Sequence, residues 1–288
     1  MKILLIGSNG QLGSDLGKTL LMHQVTGTTH AILDVTRPEQ IVQQVQTLRP
    51  EVIINTAAFH KVDVCETEAL AAFHVNAVAV RNLCMAARTI DATFVHFSTD
   101  YVFEGNLSRP LTEQDETNPV NAYGVSKLAG EKIICYLWEK SFVIRTCGLY
   151  GHAGSSGKGG NFVETMLQKA KTNESIRVVH DQVLTPTSTR ELARKVAELI
   201  QTKYYGLYHV TSQGACSWYE FAAAIFEIAG IKAKLSPTTS AEFKSPAKRP
   251  AFSVLENAHL RKWGMDDLKP WQDALMEYVL ERPSRNSL

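Results

Sequence analysis

Three glycines, Gly7, Gly10 and Gly13, stand between the apolar run Ile3-Leu4-Leu5-Ile6 and a segment of helical periodicity over 11–22, and this junction restricts the fold more than any other feature. Strand, glycine turn and helix in immediate succession set a helix N-terminus, with unpaired N–H groups, beside a turn that tolerates close backbone approach. Gly7 permits the tight turn, Gly10 lets backbone N–H groups reach a pyrophosphate, and Gly13 lets helix and strand pack closely. The spacing departs from Gly-x-Gly-x-x-Gly, yet its place between a strand and a helix turns a glycine pattern into a dinucleotide site. Asn9, Gln11 and Leu12 belong to the same candidate cofactor turn.

The first half of the chain repeats this alternation. Short runs that are apolar throughout, at 3–6, 52–54, 94–97 and 142–144, read as strands covered on both faces, and 11–22, 66–87 and 122–136 read as helices between them. The expected fold class is α/β, a doubly wound parallel Rossmann sheet with a smaller mixed α/β substrate-binding lobe. Residues 1–150 form the dinucleotide-binding part, completed by about 183–212 and 250–262. The range 151–288 contains the smaller lobe, about 151–182, 213–249 and 263–288. Within it, 151–160 is rich in glycine and serine and reads as a mobile loop able to cover a ligand. Helices are expected at 162–171, 189–201, 218–229 and 270–280, strands at 176–179, 206–210 and 252–255, and a frayed end over 282–288.

Composition narrows the function classes. Apolar residues make up 44% and charged residues 20%, the balance of a globular protein. No continuous apolar run approaches a membrane-spanning length, and the N-terminal run is too short for a signal-peptide core, so a cytoplasmic protein with no membrane partner is expected. A formal charge of +1 gives no global field for nucleic acid, although Lys244, Lys248 and Arg249 cluster locally. Five cysteines without Cys-x-x-Cys spacing read as reduced structural thiols, and nine histidines without a His-Glu-x-x-His pattern point to no metal.

The chemistry is carried by Tyr123-Gly124-Val125-Ser126-Lys127 on a predicted helix, where a four-residue spacing puts phenol and amine on one face. A phenol titrates near about 10 in water, too high for easy proton exchange at neutral pH, and a neighbouring ammonium is expected to lower it. Lys127 can also hold the nicotinamide ribose, placing cofactor and acid against one carbonyl. Upstream, Val95-His96-Phe97-Ser98-Thr99-Asp100 reads as a strand ending in hydroxyl groups, and ligands in such sheets lie beyond the carboxyl ends of the strands, which places Thr99 to bond a substrate oxygen. No acidic residue follows the second strand, so NADP(H) is favoured with NAD(H) possible. Asp34 reads either as an adenine contact with Val35 or as a helix-capping carboxylate before Pro38.

These motifs resemble the dTDP-4-dehydrorhamnose reductases among extended short-chain dehydrogenases, nearly end to end. The resemblance is carried by the Gly-x-x-Gly-x-x-Gly turn, Asn55-Thr56-Ala57-Ala58, Val62-Asp63 with Glu66, Asn76, Ser98-Thr99-Asp100-Tyr101-Val102-Phe103, Tyr123 to Lys127, Arg145-Thr146 with Tyr150-Gly151, Asn161-Phe162-Val163, Asp181-Gln182 with Thr185-Pro186-Thr187, Ser217-Trp218-Tyr219-Glu220, and Arg249-Pro250 with Ser253-Val254-Leu255. It implies NAD(P)H-dependent reduction of the C4 ketone of a dTDP-linked 6-deoxyhexulose, with Tyr123 protonating the forming alkoxide and Thr99, Tyr123 and Lys127 as the catalytic set. It further implies cofactor contacts at Ala57, Ala58 and Asn76 and substrate contacts at Tyr101, Asn161 and Arg249. Arg249 is a candidate partner for the diphosphate, a solvated surface arginine being the alternative. A homodimer is one assembly open to such a chain.

Two departures stand out. Gly148 replaces a tryptophan that many members pack on the sugar, and Leu184 occupies a position where glycine is usual. His60, in a loop after a strand end, reads as a substrate contact or a solvated histidine. A nucleotide-sugar epimerase or dehydratase would share the sheet and the Tyr/Lys pair, but dehydratases of this fold place Asp-Glu after the threonine, whereas Asp100 is followed here by Tyr101. A non-catalytic regulatory subunit, resembling the methionine adenosyltransferase β subunit, is the reading from another class. A pure binding module gains nothing from a tuned phenol, which favours the enzyme.

Overall fold

The computed structural model describes residues 1–153, 160–172 and 174–282. The expected loop at 151–160 and frayed end at 282–288 therefore fall largely outside the described residues. In chain order the elements are β1 (Lys2–Ile6), α1 (Gln11–Thr19), β2 (Gln24–Thr28), α2 (Pro38–Leu48), β3 (Val52–Asn55), α3 (Val62–Cys65), α4 (Ala69–Phe73), a π-type turn (His74–Val78), α5 (Ala79–Thr89), β4 (Thr93–Thr99), a 3-10 turn (Asp100–Val102), α6 (Ala122–Leu137) and β5 (Ser141–Thr146). There follow β6 (Leu149–Tyr150), α7 (Phe162–Lys171), β7 (Ser175–Val179), β8 (Val183–Leu184), β9 (Thr187–Ser188), α8 (Thr189–Leu199), β10 (Gly206–His209), β11 (Cys216–Ser217), α9 (Trp218–Ile228), β12 (Lys234–Thr238), α10 (Ser240–Phe243), α11 (Ala258–Lys262) and α12 (Trp271–Leu280).

Six strands form one parallel sheet in the order β10-β5-β4-β3-β1-β2. The interior strands β1, β3, β4 and β5 are almost wholly buried, which is why their sequences lack the alternation of a half-exposed strand. One apolar cluster packs α1 and α8 on one face through Leu16, Leu192 and Val196; another packs α2, α5 and α6 on the opposite face through Ile41, Leu83 and Ile134. A third cluster lies apart from the sheet, where Phe221 and Ile225 of α9 meet Val163 and Leu167 of α7, Ile176 of β7 and Leu275 of α12.

Two expectations are corrected. Residues 252–255 make isolated bridges, Phe252 to Val183 and Leu255 to Leu111, and form no strand; Ser253 is instead held to Val183 and Asp100 by hydrogen bonds. The span read as one helix over 66–87 runs from Ala69 to Thr89 through the π-type turn, 21 residues in which an 18-residue stretch has a mean hydropathy of 1.3, long and apolar enough to cross a bilayer by length and composition. Its apolar stripe packs on α6 and the sheet, so its hydropathy is that of a core helix.

α6 approaches this helix at Gly130, where an added Cβ would fall 2.3 Å from the Asn76 carbonyl oxygen. Backbone cannot yield as a flexible side chain can, so Gly130→Ala is expected to cost about 1–3 kcal/mol, the range for overpacking. Gly17 of α1 has nothing within 4 Å, and Gly17→Ala should instead stabilise by about 0.5–1 kcal/mol through helix propensity. Urea unfolding of the two variants, compared with wild type, should show midpoints moving in opposite directions.

Candidate active site

The strand order reverses beside β1, and the carboxyl ends of β1, β3, β4 and β5 open there into a cleft of about 900 Å3. Gly7, with φ of +78°, turns the chain from β1 toward α1, and a Cβ on Gly13 would lie 2.1 Å from the Gly7 oxygen. Only glycine allows this packing, so Gly13 supports the turn from behind while Gly7, Asn9, Gly10, Gln11 and Leu12 face the cleft. No side chain caps the N-terminus of α1, leaving its first amides for an anion. Ser98 Oγ, Thr146 Oγ1 and Gln11 Oε1, all on cleft-lining residues, are buried without a protein partner. Open amides, a glycine cradle and unpartnered oxygens together fit a polar dinucleotide.

Ala57, Ala58, Asp34 and Val35 line the same cleft. Asp34 Oδ1 accepts from Thr36 N at 2.9 Å and Thr36 Oγ1 at 2.7 Å, which holds the carboxyl below its usual range. The carboxylate thus closes a turn ahead of α2, and the N-cap position is Arg37. Asn76 is fully buried behind the wall: it donates to Phe59 O and Ser126 Oγ and accepts from Phe59 N. The direct cofactor contact expected of it is replaced by bracing of the segment that follows Ala58.

Tyr123 enters through the first turn of α6, where Asn121 Oδ1 accepts from Gly124 N at 2.7 Å and Asn121 Nδ2 donates to Lys248 O. A Cβ on Gly124 would meet Tyr101 O at 2.2 Å, so the helix start lies flush against the 3-10 turn and the rings of Tyr101 and Tyr123 meet edge to face, centroids 5.8 Å apart. Thr99, Tyr101, Tyr123 and Lys127 all line the cleft.

The electrostatics differ from expectation. Burial, reinforced by the charge of Asp100 and only partly offset by a hydrogen bond with Thr99, pushes the Tyr123 phenol above its ordinary value. Lys127 does not lower it, because Nζ turns inward to donate to Phe97 O at 2.6 Å and to lie 3.3 Å from His96 Nε2, and burial brings the amine down to about 8. The phenol accordingly keeps its proton at neutral pH, as a proton donor requires. Thr99 Oγ1 donates to Asp100 Oδ1 at 3.0 Å and accepts from Tyr101 N at 3.2 Å, so its hydrogen is directed at the carboxyl rather than at the cleft. Asp100 also receives Ser253 Oγ at 2.6 Å, and burial raises it to about 6.

Two expected substrate contacts have their polar groups committed to the protein. Asn161 lines the cleft, but Oδ1 caps α7 through Glu164 N and Nδ2 donates to Gly151 O and Tyr278 OH, so its amide is committed to the fold. Arg249 is not on the cleft wall: Nη2 pairs with Asp63 Oδ2 at 3.0 Å and Nη1 donates to Ala247 O, while the guanidinium bonds the Tyr101 hydroxyl. It braces Tyr101 where a direct diphosphate contact was expected. Gly148, with φ of +57°, lies where a Cβ would be 3.0 Å from Leu184 Cδ1, so the two departures from the family pattern touch one another. His60 does face the cleft, together with Trp218 and Phe162, aromatic groups that sequence spacing could not assign to it.

The family model described as RmlD substrate binding domain matches residues 1–283. The chain is similar to the spore coat polysaccharide biosynthesis protein SpsK of Bacillus subtilis (strain 168), 38% identical over 285 residues and covering 98% of each. It is also similar to the dTDP-4-dehydrorhamnose reductase of Escherichia coli (strain K12), 37% identical over 290 residues, 94% of this chain and 95% of the other. A crystal structure of the dTDP-4-dehydrorhamnose reductase of Bacillus anthracis (strain Ames) in complex with NADP superposes with a TM-score of 0.93 at 38% identity, covering 98% of this chain and 99% of that one.

The raised Asp100 carboxyl has a measurable consequence. Its affinity for protons is higher in the folded protein than in the unfolded chain, so its contribution is intact below the unfolded value near 3.8 and is lost as pH rises through about 6. Asp100→Asn, which cannot ionise, should therefore gain stability over wild type as pH rises across that window, by at most about 3 kcal/mol. Urea unfolding at several pH values between 4 and 8 should show this gap opening upward, and a constant offset would contradict it.

Proposed function

We propose, from the premise that the chain belongs to the RmlD substrate-binding-domain family, that it is an NAD(P)H-dependent dTDP-4-dehydrorhamnose reductase. It reduces the C4 ketone of a dTDP-linked 4-keto-6-deoxyhexose to the alcohol, the step that yields dTDP-rhamnose for cell-surface polysaccharide. The observation that carries this reading is the convergence of Thr99, Tyr123 and Lys127 on one cleft with the glycine turn. The names of the Escherichia coli and Bacillus anthracis relatives and the NADP in the latter support it.

The glycine turn, the α1 amides, Ala57 and Ala58 would hold the dinucleotide, and Lys127 its nicotinamide ribose. A reduced nicotinamide supplies the hydride. Tyr123, protonated at neutral pH as any phenol is and holding that proton more firmly through burial, gives it to the ketone oxygen as the alkoxide develops. Thr99 is hydrogen-bonded with the phenol and fixes its place beside the ketone, and Tyr101, held by Arg249, forms the sugar-facing wall. Arg37 stands beside Asp34, whose carboxylate is engaged by Thr36, and its guanidinium is a cation that suits the 2′-phosphate of NADP(H). Residues 1–150, with about 183–212 and 250–262, serve the cofactor, and the remaining lobe closes on the sugar nucleotide. This reading places a short-chain-type enzyme in the cytoplasm, as a homodimer, with neither nucleic acid nor membrane as partner. Tyr101 rather than glutamate after Asp100 favours net reduction over water loss.

Removal of the phenol hydroxyl should separate chemistry from binding. Tyr123→Phe is expected to lose at least ~100-fold in turnover, followed as NADPH absorbance with dTDP-6-deoxy-L-lyxo-4-hexulose. Its NADPH affinity, by fluorescence titration, should stay close to wild type. Wild-type turnover in the variant would remove Tyr123 from the mechanism.

A further inference from the structure

Two helices of the lobe open on the cleft in the same way. Asn161 caps α7 by accepting from Glu164 N at 3.0 Å, and Phe162 follows it. Ser217 caps α9 by accepting from Glu220 N at 3.1 Å while Glu220 Oε2 accepts from Ser217 N at 2.7 Å, and Trp218 follows it. Each cap fixes the first turn of its helix, so the aromatic residue next to it stands at a set place. The two rings meet with centroids 4.6 Å apart, and the fully buried Phe221 supports both, 5.7 Å from Phe162 and 6.2 Å from Trp218. Both stay half-buried and line the cleft, where neither proton transfer nor dinucleotide binding gives them a part.

Direct neighbours tie this aromatic pair to the reacting end of the cleft. Thr146 is the register partner of Thr99, and Gly148 follows it by two residues. A Cβ on Gly148 would lie 3.0 Å from Leu184 Cδ1 and 3.0 Å from Pro186 Cα, and its positive φ would strain any side chain, so the wall beyond Thr146 is bare backbone there. Leu184 of β8 pairs in turn with Cys216 of β11, two residues before Trp218. The steps from Thr99 through Thr146, Gly148, Leu184 and Cys216 to Trp218 thus lead from the strand end to the lobe.

A 4-keto-6-deoxyhexose presents two kinds of surface: its ketone and hydroxyls, and a C5–C6 edge that ends in a methyl group. The faces of a phenyl and an indole ring favour burial of the apolar edge. A hydroxyl on C6 would lose water there without an acceptor in return. We propose that Trp218 and Phe162 are specificity-determining residues that hold the hexose: their rings pack on the apolar C5–C6 edge while the C4 ketone lies at Thr99 and Tyr123. This inference rests on the dTDP-hexulose substrate proposed above. Gly148, without a side chain, leaves room for the sugar ring between strand end and lobe, and the Asn161 amide serves the sugar through the ring of Phe162 that it sets in place.

Calorimetric titration of the full-length enzyme saturated with NADP+ separates the sugar from the nucleotide, with dTDP-rhamnose and dTDP as the two ligands. Wild type should bind dTDP-rhamnose more tightly than dTDP. Trp218→Ala should lose at least ~10-fold in affinity for dTDP-rhamnose and stay within about twofold of wild type for dTDP and, titrated separately, for NADP+. Phe162→Leu, which keeps apolar bulk on Phe221 and removes the ring, should move the same way by a smaller factor, and it decides alone if Trp218→Ala does not fold. Equal losses for both ligands would put the nucleotide against these rings, and an unchanged affinity for dTDP-rhamnose would put the sugar elsewhere; either overturns the proposal. Wild type that binds neither ligand would overturn the proposed substrate and this inference together, whereas wild type that binds both, with unaffected variants, overturns the inference alone. No arm reads turnover, so failure of Tyr123→Phe leaves these affinities untouched.

Discussion

The contact of Gly13 with the Gly7 carbonyl is the constraint on which the site depends. It lets α1 start directly off β1, so the free amides of the helix end face the point where the strand order reverses. With β2 on one side of β1 and β3 on the other, the helices that follow β1 and β3 leave on opposite faces of the sheet and cannot fill the gap between the strand ends. Thr99 at the end of β4 and Thr146 at the end of β5 are carried to the same rim by parallel register, in which they are partners. A parallel sheet thus gathers residues from distant parts of the chain without any of them needing to be near in sequence.

Burial rather than charge pairing sets the chemistry of this rim. Tyr123 holds its proton more firmly than a free phenol because the site disfavours a phenolate and because Asp100 lies nearby. Lys127 moves the opposite way for the same reason, since a low-dielectric environment disfavours whichever form is charged. The enclosed Arg145–Glu131 pair supplies the compensating order: it pins α6 to β5 through three hydrogen bonds and so fixes the helix that carries both residues. Arg249 does the same for Tyr101 at the outer wall.

Much of this was legible in the sequence. Runs such as Ile3 to Ile6 and Phe94 to Phe97 announced covered parallel strands because both faces must be apolar, and the turn glycines were readable because no other residue fits their positions. Residues that face the cleft from strand ends, Thr99 and Tyr101 among them, followed from the same rule. What was not legible is where polar atoms are spent. Asn76, Asn161 and Arg249 read as ligand contacts, yet each is consumed by partners far away in the chain, Asn161 by Tyr278 and Arg249 by Asp63. The inward turn of Lys127 depends on a carbonyl and a histidine of β4 that no helical spacing reveals. Trp218 and His60 reach the cleft through packing of the lobe and a loop, which carry no periodicity to read.

The most direct measurement follows the hydride. Reaction of the enzyme with NADPH deuterated at the transferring C4 position and dTDP-6-deoxy-L-lyxo-4-hexulose, analysed by NMR of the sugar, should give one deuterium at hexose C4 for each NADPH oxidised. Product lacking deuterium at that carbon, or sugar converted without net loss of NADPH, would contradict a reductase at this cleft.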